Sequence, residues 1–380
     1  LKTTLDSSPD VSFVPNHIAR RVGAEVQRRI DALKIGQKMQ DLPEELWHKS
    51  FRFYVKEDPT RVGGPNLRMI RLDPSQPSLT VTAYIFNKFV HPYENRFITV
   101  CEAARLQGFP DEIEFRGTLT NTQLQVGNAV PVQLSRAIFE SLYQQAKVFG
   151  FKGNLKALSL FSGAGGMDIG AEQTTGISTL VSLDNWKDAC DTLRGFLKHK
   201  TNVVERDITL VSEPVRFWKH ESETDNSPDL LYGGPPCQAF SQAGKQKGLE
   251  DSRGKMIFEF LRFVDSLSPA FFVMENVSNL KGVAGGKLYK QIIEKIDSLG
   301  YNCTVDLLLS ADFGTPQLRR RLIFLGSKKE IGKIKMPVPT HNAKTENLTL
   351  FDVMPYTTTG EAFLNLTQAS YSNVNMIQKI

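Results

Sequence analysis

Three groups of residues in this chain are of types, and stand at places, where they could do chemistry. Pro235-Pro236-Cys237-Gln238 follows a short apolar run and the Gly233-Gly234 pair. A lone cysteine is most often a small buried hydrophobe. Here a stiff turn presents it, and the stretch that follows, with Ser241, Gly244, Lys245, Lys247 and Gly248, is too polar and glycine-rich for a core. That setting suits a nucleophile beside a movable loop. Glu275-Asn276-Val277 ends a second apolar run. A carboxyl with little polar sequence around it loses solvation, so its pKa rises and it becomes a proton donor. Gln317-Leu318-Arg319-Arg320-Arg321 enters a third run, where alternation sends Arg319 and Arg321 to one face and Arg320 to the other. Arginines so placed form either a wet edge or a pair of fixed guanidiniums suited to an electron-rich heterocycle.

A fourth group is built of glycine. Gly163-Ala164-Gly165-Gly166 follows the run 155–161, and Asp184 lies about 20 residues further on, the spacing at which a carboxylate takes ribose hydroxyls in nucleotide sites. A tight strand-to-helix turn accounts for the glycines equally well. The sequence Phe161-Ser162-Gly163-Ala164-Gly165-Gly166 departs from dinucleotide spacing and has no Lys-Ser/Thr pair for phosphates. That favours a ligand without a pyrophosphate, such as S-adenosylmethionine.

These groups need a scaffold, and the chain from residue 154 supplies one. Short apolar runs at 155–161, 180–183, 229–232, 270–274, 305–309 and 322–325 alternate with longer mixed segments, the pattern of parallel strands joined by helices. The polar groups gather just after strands, where open α/β sheets place their ligands. The N-terminal third reads differently. Pro15-Asn16 can start a helix carrying Ile18, Val22, Val26 and Ile30, with Arg20, Arg21, Arg28 and Arg29 largely on other faces. A solvated basic face and a phosphate-facing stripe both fit those arginines. Residues 57–95 lack helical period and read as short strands and loops. Pro131 opens a helix with Leu134, Ile138, Leu142 and Ala146 on one face.

At 380 residues the chain has length for two domains and a large core. No apolar run approaches the ~18–20 residues of a membrane helix, and no series at the start reads as a secretory signal. Cys101, Cys190, Cys237 and Cys303 lie far apart without a CxxC pair. A reducing compartment is therefore expected, and neither a disulfide frame nor a metal site. A net charge of +5 permits a polyanionic partner without demanding one.

Taken in order, the Phe161–Gly166 block, Asp184, Asp207-Ile208, Pro236-Cys237-Gln238, Glu275-Asn276-Val277 and Gln317-x-Arg319-x-Arg321 resemble the signature blocks of DNA (cytosine-5) methyltransferases. The resemblance continues through Thr80, through 96–111 with Arg96, Glu102, Arg105 and Gln107, and through Gln125-Val126-Gly127-Asn128-Ala129-Val130-Pro131. It implies an α/β fold: a Rossmann-like S-adenosylmethionine-dependent methyltransferase sheet with a second, smaller DNA-recognition domain. In most of that family the blocks here at 96–111 and 125–131 come last, so the chain resembles a circularly permuted member. The domains expected are 119–330 for catalysis, with 1–118 and 331–380 as the two parts of the recognition domain.

The resemblance further implies sequence-specific methylation of cytosine in double-stranded DNA after base flipping, with S-adenosyl-L-methionine as methyl donor. Cys237 would be the nucleophile at carbon 6, Glu275 the acid at ring nitrogen 3, and Arg321 the partner of the cytosine carbonyl. Arg319 would order the site, with Gln317 and Arg253 as supports. Asp184 would hold the ribose, and Asp207, Ile208 and Trp186 the adenine. Phe161, Gly163, Gly165, Asn128, Val130 and Pro235 would complete the cofactor site. Asn185 stands where the family often has its aromatic residue, which bears on Trp186. A monomer acting on bacterial nucleoid DNA in the cytoplasm, with a cognate restriction endonuclease, is the setting implied. A tRNA cytosine-5 methyltransferase would share the catalytic blocks, but that branch carries a Cys-Phe-Thr signature absent here. A catalytically silent DNA-binding relative is disfavoured by the presence of Cys237, Glu275, Arg319 and Arg321.

Overall fold

The computed structural model describes residues 14–56, 69–83, 87–198, 200–236, 254–343, 353–366 and 368–371. Among these, seven strands form one sheet: β1 Leu155–Leu160, β2 Ile177–Asp184, β3 Asn202–Glu205, β4 Leu230–Gly233, β5 Phe271–Val277, β6 Tyr301–Leu309 and β7 Arg320–Lys328. Their order across the sheet is β6-β7-β5-β4-β1-β2-β3. The neighbours from β3 to β5 pair in parallel, and β7 runs antiparallel to both β5 and β6. The order reverses between β1 and β4, the switch point at which such sheets open a crevice. This strand order, with its single reversed strand, is that of a Rossmann-like methyltransferase sheet.

Helices cover both faces. Along β1 the pleat divides neighbours: Ala157 faces a layer with Leu134, Ile138 and Phe139 of the Val132–Val148 helix, and Leu158 faces one with Ile257, Phe260 and Leu261 of the Lys255–Leu267 helix. Burial on both sides is why the strands read as near-continuous apolar runs. β3 was not among the runs expected. It is a short edge strand, Asn202-Val203-Val204-Glu205, whose polar ends are exposed and which leaves no apolar run to find.

The reversal of β7 has a local effect that matters below. Running backwards, β7 brings its first residues to the edge where β1, β2, β4 and β5 end. Arg321 pairs there with Val277, and Ile323 with Glu275.

The N-terminal helix is shorter than its apolar period implies. It spans Ala24–Ala32, whereas Asn16 has a φ of 58° and Ile18–Ala19 is extended. Tertiary bonds outcompete the local pattern. Asn16 Nδ2 donates to Phe115 O at 3.1 Å, and Phe115 N donates to Asn16 Oδ1 at 2.8 Å. Ile18 and Ala19 pair in parallel with Ser370 and Tyr371. Arg20, Arg21 and Arg28 are exposed, but Arg29 is buried and donates from Nε to Leu46 O at 2.6 Å.

Further along, the short strands Ile70–Arg71, Ser78–Leu79 and Phe89–Val90 match the irregular reading of that region in its described parts. Ile70 and Phe89 pack with Ile98, Val100 and Val126, and onto Ala164 and Ile169 of the glycine turn and its helix. Residues 353–366 join the same body: Arg105 Nη1 donates to Ala362 O at 3.1 Å and Leu364 O at 2.7 Å, and Gly360 N to Pro74 O at 2.9 Å.

Candidate active site

At the edge where the parallel strands end, β1 passes into the glycine turn through Phe161, which has a left-handed φ of 55°. A bulky residue there costs about 1–3 kcal/mol, a strain that persists where surroundings over-determine it. The two kinds of glycine in the turn do different work. A Cβ on Gly166 would lie 2.2 Å from Val130 O, so its bare backbone is what lets the chain just past the Leu119–Asn128 helix close against the Gly166–Glu172 helix. A Cβ on Gly163 would meet nothing within 4 Å and faces open space.

Asp184 ends β2 with each oxygen already accepting a main-chain bond, Oδ2 from Gly163 N and Oδ1 from Trp186 N, both at 2.8 Å. Burial pushes its carboxyl above the ordinary range while those N–H groups pull it down. The half-buried Trp186 stands beside it. An open glycine face, a carboxylate and an indole ring, with no cation in the turn, fit a nucleoside without phosphates.

β4 ends in Gly233-Gly234-Pro235-Pro236, where Asn276 Nδ2 donates to Pro235 O at 3.0 Å. Cys237, Gln238 and Arg253 lie outside the described residues. Glu275, on β5, is buried at 8% exposure. Burial raises its pKa, against the pull of Arg321 and Arg319. Its Oε1 accepts from Arg321 Nε at 2.6 Å, so this guanidinium, expected on a substrate carbonyl, rests on the carboxylate here. Arg319 is 2% exposed and gives its charge to two carbonyls, Val81 O at 2.6 Å and Gly127 O at 3.0 Å. Arg320 is exposed, as alternation required.

One cavity of 620 Å³ gathers these groups. Phe161, Gly163, Asp184, Trp186, Pro235, Asn128, Val130, Glu275, Arg319 and Arg321 all line it. Gly165, Asp207 and Ile208 are not among its lining residues. Asp207 Oδ1 instead caps its own turn, accepting from Thr209 N at 2.8 Å and Thr209 Oγ1 at 2.7 Å, and Ile208 is core at 5% exposure.

The cavity also holds a residue that sequence reasoning missed. Asp168 is 1% exposed, and its Oδ1 accepts from Ser182 Oγ at 2.6 Å. Its Oδ2 has no hydrogen-bond partner among the described residues, and burial pushes the carboxyl up to about 6. A carboxylate in the first turn of the helix Gly166–Glu172, among apolar and glycine residues, was the available signal.

Among the described residues no helix is long and apolar enough to cross a membrane. The chain matches the family described as C-5 cytosine-specific DNA methylase over residues 10–144 and 155–380. It is 38% identical over 228 residues to the type II methyltransferase M.AquIA of a Picosynechococcus species, a match covering 57% of this chain and 90% of that one. It is 37% identical over 236 residues to M1.HphI of Haemophilus parahaemolyticus, covering 60% of each. It is 36% identical over 219 residues to M.NgoFVII of Neisseria gonorrhoeae, covering 57% of this chain and 55% of that relative. The match thus spans little more than half the length of the latter two. With a family match running through both the sheet and the segments that close its cavity, the chain belongs to the C-5 cytosine-specific DNA methylases.

Proposed function

We propose that the chain is a sequence-specific DNA (cytosine-5) methyltransferase of the restriction–modification kind, acting as a monomer on double-stranded DNA in the cytoplasm, beside a cognate endonuclease. The observation that carries this reading is the meeting of Glu275 and Arg321 with Asp184 at one cavity, in a chain whose family match runs through all three. Carbon 5 and carbon 6 of cytosine cannot be approached within a stacked duplex, so the base must be flipped into the pocket. Residues 1–118 and 331–380 are the proposed reading part, and the order of blocks is proposed to be a circular permutation.

In this mechanism Cys237 adds as thiolate to carbon 6, forming the sulfur–carbon bond. Glu275, whose hold on its proton is strengthened by burial, gives that proton to ring nitrogen 3 and so absorbs the charge that the addition creates. Arg321 takes the adjacent carbonyl oxygen; the two side chains are neighbours on the wall as nitrogen 3 and that oxygen are neighbours on the base. Carbon 5 is now nucleophilic. S-adenosyl-L-methionine, when bound, supplies the methyl group that it accepts. Water then takes the carbon 5 proton, the double bond re-forms as the sulfur–carbon bond breaks and Cys237 leaves as thiolate, and ring nitrogen 3 returns its proton to Glu275. Asp184 would hold the ribose hydroxyls, Trp186 the adenine, and Phe161, Gly163, Asn128, Val130 and Pro235 the rest of the donor, while Gly165, Asp207 and Ile208, expected there from the resemblance, stand off the cavity.

The test is expression in a host without cytosine methylation, followed by sequencing for 5-methylcytosine. One recurrent methylated sequence is expected, and none from the Cys237→Ser protein, whose hydroxyl is far less ionised than a thiol. Duplexes carrying 5-fluorocytosine at that site should trap a covalent adduct stable to denaturant. Methylation without any adduct would sink the addition–elimination scheme.

A further inference from the structure

The segment around Val81 enters the cavity wall through Thr80, Thr82 and Ala83. It meets the arginine block as a parallel pair only two residues long, Ser78 opposite Gln317 and Leu79 opposite Leu318. Thr80 Oγ1 adds a bond to Leu318 O at 2.9 Å. At Val81 main-chain pairing stops and side chains take over. Gln317 Oε1 accepts from Val81 N at 2.7 Å, and Arg319 Nη1 donates to Val81 O at 2.6 Å. Both peptide groups of one residue are therefore held by side chains two apart on the facing segment.

The orientation of the Gln317 amide is determined by its surroundings. With Oε1 facing an N–H, its Nε2 must face acceptors, and it donates to Leu106 O at 3.0 Å and to Gln107 Oε1 at 2.8 Å. That in turn turns Gln107 Nε2 toward Val126 O, at 2.7 Å. Each amide orients the next, and a fully satisfied buried network of this kind specifies a single arrangement. Gln317 and Gln107 are both 0% exposed, and neither lines the cavity.

We propose that Gln317, oriented by Gln107, is a positioning residue that holds the Thr80–Thr82 wall at a set distance from Glu275 and Arg321, and so fits the flipped cytosine. The idea rests on the methyltransferase reading above. A displacement of about 1 Å in such a wall is worth about a hundredfold in rate, although neither glutamine touches a reacting atom.

The test uses the full chain and the variants Gln317→Leu and Gln107→Leu. The first removes the bond to Val81 directly. The second leaves that bond in place but removes its orienter, and serves if the first does not fold. Two readouts are taken. Hydrogen exchange should speed at the Val81 amide while the amides of β1 and β5 keep their protection; unchanged exchange at Val81 in both variants would overturn the clamp. Single-turnover methylation of unmethylated plasmid DNA should fall about a hundredfold, with S-adenosylhomocysteine affinity, read by calorimetry, held within about threefold. A loss that tracks cofactor affinity or melting temperature instead would mean a merely structural role and overturn the proposal. A parent chain that transfers no methyl group would sink the activity reading separately, and the exchange result would still decide the clamp.

Discussion

Glu275 carries a tension that its own strand does not reveal. Burial favours the neutral acid, while a guanidinium 2.6 Å away favours the anion. Since its pKa is raised above the ordinary carboxyl range, turnover should fall on the alkaline side, at a higher pH than an ordinary carboxyl would set. Glu275→Gln keeps the shape and a donor but cannot pass a proton. Its single-turnover rate should drop by about 10²–10⁴ and lose the alkaline fall, with cofactor affinity intact; an effect confined to DNA affinity would contradict the acid role. Asp168 makes a prediction about stability rather than rate. Its folded value, pushed up to about 6 from 3.8, means that the folded state holds the proton more tightly than the unfolded chain. The stability it contributes is full below the unfolded value and is lost as pH rises through 6. Asp168→Asn should therefore match the parent at pH 4 and exceed it by up to about 3 kcal/mol at pH 8. Urea midpoints at the two pH values read this directly, and a difference independent of pH would sink it.

At the scale of elements, the Gly166–Glu172 helix docks where the turn at Ala129-Val130, just past the Leu119–Asn128 helix, presses on it. Gly166→Ala would set a Cβ 2.2 Å from a main-chain oxygen, which has no flexible end to give way. The expected cost is about 1–3 kcal/mol of unfolding free energy, with weakened binding of S-adenosylhomocysteine. Wild-type stability would mean the turn is looser than it stands here. Such contacts also mark how far the sequence could be read. Strands buried on both faces announce themselves as apolar runs, and the glycine turn, the Pro235-Pro236 turn and the carboxylate of Glu275 were legible because each interrupts one. What pairs with what was not. Arg321 reaches Glu275 only through the antiparallel register of β7 on β5, and Gln317 reaches Val81 across 236 positions. No local pattern encodes either distance. Asn16 misled for the same reason: its partner is Phe115, 99 positions away.

For the whole molecule, the proposed permutation has a direct test. Residues around Lys152 and Gly153 are exposed between a helix end and β1, and exposure rather than position decides where a cut is tolerated. A chain opened there, with residue 380 joined to residue 1, should fold, bind S-adenosylhomocysteine and methylate the parent's DNA sequence. A changed target sequence would show that residues 1–118 and 331–380 do not read as one surface. The parallel pair of Ile18–Ala19 with Ser370–Tyr371 bears on how the molecule comes together. Ser370 bonds His17 across 353 positions through a contact two residues long. Closing so large a loop is entropically costly and little rewards it until both flanks are in place. That seam should form last during refolding and part first in denaturant. Pulse labelling should protect the Ser370 amide after those of β5, and at mild urea concentrations the protein should pass through a state that still binds its methyl donor and no longer recognises DNA.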